Sequence, residues 1–60
     1  MNKEQLLLFM INEFEIANKE AMISSGFSDQ QSEQMNSEYR PSVTMLLSRV
    51  VEKMFEKNIF

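Results

Sequence analysis

Leu6-Leu7-Leu8-Phe9-Met10-Ile11-Asn12-Glu13-Phe14-Glu15-Ile16-Ala17-Asn18-Lys19-Glu20-Ala21-Met22-Ile23 is the stretch whose reading decides the fold class of this chain. Leu7, Met10, Ile11, Phe14, Ala17, Ala21 and Met22 recur at helical spacing and form the broad apolar stripe of a core-facing helix. Phe9, Ile16 and Ile23 recur every seven residues on roughly the opposite side. A second stripe on so short a chain points to contact with another chain, since seven-residue spacing is what a helix–helix seam uses.

The punctuation on either side supports a helix over about residues 3–25. Asn2 is a suitable N-cap, Gln5 stands at the reciprocal position of a capping box, and Glu4 complements the first-turn dipole. Gly26, the single glycine, suits the left-handed residue that ends a helix. Phe27 suits the apolar residue that then folds back onto Met22 or Ile23. Ser28 and Gln31 repeat the capping-box spacing, which predicts a short polar helix over about 29–38, anchored only by Met35 and Tyr39. An ordered loop or flexible connector is the alternative for this Ser-, Gln- and Glu-rich segment.

Arg40-Pro41 predicts the next boundary, because proline disfavours helix at the residue before it and suits the first position of a new helix. A third helix is expected over about 41–57. Val43, Leu46, Leu47, Val50, Val51, Met54 and Phe55 lie on its apolar half, Ser48, Glu52 and Glu56 on the other. Lys53 and Lys57 complement the dipole near its end. Neither apolar set alternates with period two, so no strand competes. The expectation is an all-α single domain: two long amphipathic helices with a short polar one between, assembling as a dimeric helical bundle.

Size reinforces the dimer. A chain of 60 residues buries only about 60% of the surface it exposes when unfolded. Small domains compensate with disulfides, a metal or a partner. Cys and His are both absent, which excludes disulfides and the usual zinc and copper sites and leaves partner burial. Self-association is accordingly expected through Phe9, Ile16 and Ile23, with the terminal Ile59 and Phe60 reaching across. The competing reading packs the Phe9 stripe under the Phe27 turn. Asn18, inside the main stripe, would either face solvent or pair with its symmetry mate and set the register.

Candidate partner contacts lie elsewhere. Met45 falls on the polar side of the third helix beside Arg49 and Glu52, a mixed patch suited to protein recognition. Its plainer reading is a surface methionine next to an Arg49–Glu52 ion pair. Met35 and Tyr39 offer a second small apolar contact in the middle segment.

Several function classes are disfavoured. Catalysis lacks a histidine to activate any hydroxyl, a glycine-rich phosphate loop, and a pocketed carboxylate pair; Glu13 and Glu20 sit on an exposed helix. No cofactor is implied. The net charge of −3 argues against nucleic acid. The run Leu6–Ile11 is too short for a membrane span or a signal-peptide core, which favours a soluble cytoplasmic protein. The chain therefore reads as a non-enzymatic interaction module, a homodimer that binds and inhibits a larger protein. Small acidic accessory proteins used by bacteriophages against host defences offer an analogy of size and composition. A structural subunit of a larger complex is the first alternative. A helix-turn-helix regulator across Ser28 to Ser48 is the second, with only Arg49, Lys53 and Lys57 to offer DNA.

Overall fold

Two helices, α1 (Lys3–Ser24) and α2 (Asp29–Glu56), pack against each other as an antiparallel hairpin in the computed structural model, which describes residues 1–59. The hairpin measures 40 × 18 × 15 Å. Among the described residues there is no strand.

Both helices begin as their sequences dictate. The Asn2 side chain accepts from the Gln5 amide at 2.8 Å, and Gln5 Oε1 accepts from the Asn2 amide at 3.0 Å. Ser28 and Gln31 make the same reciprocal pair at 3.1 and 2.9 Å. Each box satisfies two amides that a helix start would otherwise leave without partners.

The turn is equally local. Gly26 adopts φ 106°, the Gly26 amide donates to the Ile23 carbonyl, and the Phe27 amide donates to the Met22 carbonyl. This is the Schellman pattern, which needs a residue tolerant of positive φ. Asn58, at φ 51°, ends α2 in the same manner, with Ile59 donating back to Met54. Phe27 itself stays half exposed and borders a shallow depression beside Met35.

The expected boundary at Arg40-Pro41 is absent: one helix runs from Asp29 to Glu56 with Pro41 inside it. The segments expected as a middle helix and a third helix are one continuous element. Proline inside a helix costs ~3 kcal/mol, chiefly from a lost hydrogen bond and a ring clash with the preceding turn. Here it lies on the exposed side of α2, where water can reach the Ser37 carbonyl that loses its donor. Upstream of the proline, Asn36 and Arg40 are tied to α1; downstream, Val43 and Leu47 turn toward it. Cross-helix contacts on both sides of Pro41 outweigh its local preference.

The least exposed residues trace the seam. In α1 they include Leu7, Ile11, Asn18 and Met22; in α2, Ser32, Asn36, Val43, Leu47 and Met54. Their steps alternate between four and seven, an 11-residue period in both helices. Eleven residues over three turns is 3.67 per turn, close to the natural helix, so each line stays on one side of its helix. The seam is narrower than the sequence stripes. Phe14, Ala17 and Ala21 remain exposed, as do Leu46 and Val50, because a single neighbouring helix covers only part of each circumference. Val51, at 2% exposure, is the one hydrophobic residue that is fully buried among those described.

Candidate interaction surfaces

A polar layer holds the middle of the seam. Asn18 Nδ2 donates to Asn36 Oδ1 at 2.9 Å, and Asn36 Nδ2 donates to the Glu15 backbone carbonyl at 3.1 Å. Arg40 closes the layer with a two-pronged contact to the Glu15 carboxylate, at 2.6 and 2.8 Å. Hydrogen bonding from that guanidinium holds the Glu15 carboxyl below its ordinary pKa, against the opposing effect of partial burial. Lys19 meets Glu33 at 2.9 Å one turn nearer the loop, and this hydrogen bond raises the lysine pKa. Nearer still, Ser32 is completely buried; its hydroxyl donates to the Ser28 carbonyl at 2.9 Å and leaves no unsatisfied side-chain atom. Asn18, considered from the sequence as a partner for its own symmetry mate, thus has its amide engaged within the chain.

Those contacts define one side of the hairpin. Glu15 and Lys19 lie on one side of the α1 seam line, and Glu33 and Arg40 lie on the corresponding side of α2. They line a shallow groove together with Asn12, Ile16, Asn36 and Ser37. At ~100° per residue, Met10, Phe14, Ala17 and Ala21 lie across the α1 seam line from Glu15 and Lys19. Met35, Tyr39, Leu46 and Val50 lie across the α2 seam line from Glu33 and Arg40. Because the ion pairs join the two polar flanks, the two apolar flanks also face one way. Together they form a second surface running along both helices. Leu46 and Tyr39 are its most open members, 66% and 60% exposed.

A third surface lies on the back of α1, outside the seam, with Ile16 at the edge where it meets the polar groove. Phe9, Ile16 and Ile23 are all exposed there. Met45, on the back of α2, is 76% exposed. Its expected neighbour pair is not formed: Glu52 accepts from Lys3 at 3.0 Å, across the open end of the hairpin, rather than from Arg49. The same lysine sits 5.7 Å from the Phe55 ring centroid. Ile59 is exposed at the end of α2, and Phe60 lies outside the described residues.

Sequence reasoning singled out neither Ser32 nor Asn36. The available signal was phase: carrying the Val43–Leu47 line back through Pro41 by 11 residues lands on both. Among the described residues no group of His, Cys, Asp or Glu is arranged to hold a metal ion, and no helix is long and apolar enough to cross a membrane. The span from Ser28 to Ser48 contains no turn between helices. Comparison with protein-family models, curated proteins and solved structures finds no match to this chain.

Proposed function

We propose that this chain is a non-enzymatic helical interaction module, homodimeric in use, that docks on a larger protein and modulates it. The observation that carries the reading is the exposed row Phe9, Ile16 and Ile23, which α2 leaves uncovered on the back of α1. Three large apolar side chains in line on a helix match the way amphipathic helices enter a partner's groove. The composition agrees, since a chain without His or Cys offers few groups for chemistry and many for contact. An inhibitor or accessory role of the kind bacteriophages encode is consistent with this size and acidity, as is a cytoplasmic location.

The test places a photoreactive phenylalanine at position 16 and irradiates the cells that naturally make the protein. One discrete adduct with a different protein, reduced by Phe9→Ala/Ile23→Ala, is the expected result. The purified partner's activity should then change when the module is added. Adducts only between copies of the chain, or none, would refute docking through this row.

A further inference from the structure

The back of α1 and the apolar flank of the hairpin are distinct surfaces, and they need different occupants. We infer that the flank formed by Met10, Phe14, Met35, Tyr39, Leu46 and Val50 is covered by the same flank of a second copy. The product is a four-helix bundle that leaves Phe9, Ile16 and Ile23 on its outside. This assignment rests on the interaction-module reading and names which surface does which task.

Area supports it first. The chain exposes 4732 Å². A folded monomer of its mass, 7.1 kDa, exposes about 4,100 Å². The surplus of about 600 Å² reaches the ~600–1,000 Å² that each partner contributes to a stable protein interface.

Folding supports it next. Val51 is the single buried hydrophobic residue among those described, so the hairpin alone lacks the core that a domain of this size requires. The occupant of the flank must be present whenever the chain folds. A second copy is the one partner that synthesis of the chain always supplies.

Chemistry supports it last. The members of the flank are themselves uncharged, with Glu38 bordering Met35 at its turn end. Its uncharged middle gives little by which to select a partner of opposite charge. An isologous contact, in which each flank meets its own copy, needs no such selection. Face-to-face hairpins are also an ordinary route to a four-helix bundle.

Solution mass across a dilution series is the direct test, on the wild type, Leu46→Glu and Ile16→Glu. The wild type should weigh twice its 7.1 kDa chain mass and dissociate on dilution. Leu46→Glu should weaken the dimer by about 100-fold or more, because two carboxylates would be buried unpaired. Ile16→Glu should leave it unchanged. A monomeric wild type that still melts cooperatively would overturn the inference. So would a dimer that Ile16→Glu breaks and Leu46→Glu does not, since that places self-association on the back of α1.

Tyr39 keeps the test informative if Leu46→Glu fails to fold. It is the only tyrosine, and the chain has no tryptophan, so its emission reports this flank alone. In wild-type dimer it should be shielded from acrylamide and become accessible on dilution. Full accessibility at concentrations where the mass is dimeric would refute the flank. Neither measurement depends on a target, so failure here is separable from failure of the cross-link at position 16.

Discussion

The two halves of the hairpin seam are held together by different physics. Near the turn, Asn36, Asn18, Glu15 and Arg40 meet through hydrogen bonds and charge, and Lys19 pairs with Glu33. Toward the open end, Leu7, Ile11, Leu47, Val51 and Met54 line the seam with hydrocarbon. Apolar contacts contribute more free energy per residue but tolerate sliding, whereas paired amides are satisfied in one register only. The difference teaches that this chain separates cohesion from alignment along its length. The open half supplies the adhesion, and the turn half decides how the helices are set.

Four substitutions sharpen or break that comparison, with stability compared at one fixed protein concentration because dimerisation shifts it. The largest effect belongs to the hydrocarbon half. Val51→Ala should cost about 2 kcal/mol in thermal or denaturant melts, a large share of what a 60-residue domain possesses. A change of a few tenths would show that the open half contributes little cohesion.

Pro41→Ala comes next and acts in the other direction. Restoring the missing amide inside α2 should stabilise the hairpin by about 1–2 kcal/mol, part of the intrinsic helix penalty being offset by a freer unfolded chain. A loss of stability would mean that Pro41 marks a real helix boundary and that the two segments of α2 act separately.

The amide pair tests alignment. Asn18→Leu should cost about 1 kcal/mol, because it leaves the Asn36 carbonyl oxygen without its donor. The double variant Asn18→Leu/Asn36→Leu should recover most of that loss, yet populate more than one helix register by cysteine cross-linking across the seam. A single register in the double variant would assign alignment to the turn alone.

Arg40→Met has the smallest effect at neutral pH, because water screens so exposed a guanidinium. Its signature is pH dependence. The Glu15 carboxyl has a lower pKa folded than unfolded, so its stabilisation is complete above the ordinary carboxylate value. That contribution is lost as pH falls through the folded pKa. Acid titration of helicity should show this loss in the wild type and a shallower one in Arg40→Met. Equal slopes would remove the Glu15–Arg40 pair from the account.

Much of the local structure was legible in the residues. Asn2, Gln5, Gly26, Phe27, Ser28 and Gln31 set both helix starts and the turn, because capping and positive φ depend on groups only a few bonds apart. The candidate surfaces were legible only in part. Phe9, Ile16 and Ile23 were identified as lying away from the main stripe, and they do lie exposed on the back of α1. The flank through Phe14, Tyr39, Leu46 and Val50 was not separable from the core. Apolar periodicity shows which residues avoid water, not how much of the stripe one neighbouring helix covers.

Sequence by itself therefore determined the helical class, the capping boxes, the Schellman turn at Gly26 and the apolar faces, all of which follow from interactions within about one helical turn. Tertiary structure alone decided that α2 runs unbroken through Pro41, that Asn18 finds Asn36, and that Glu52 takes Lys3 rather than Arg49. These outcomes pit a local preference of at most ~3 kcal/mol against contacts between residues up to 49 positions apart. No local rule can weigh such contacts before the helices meet.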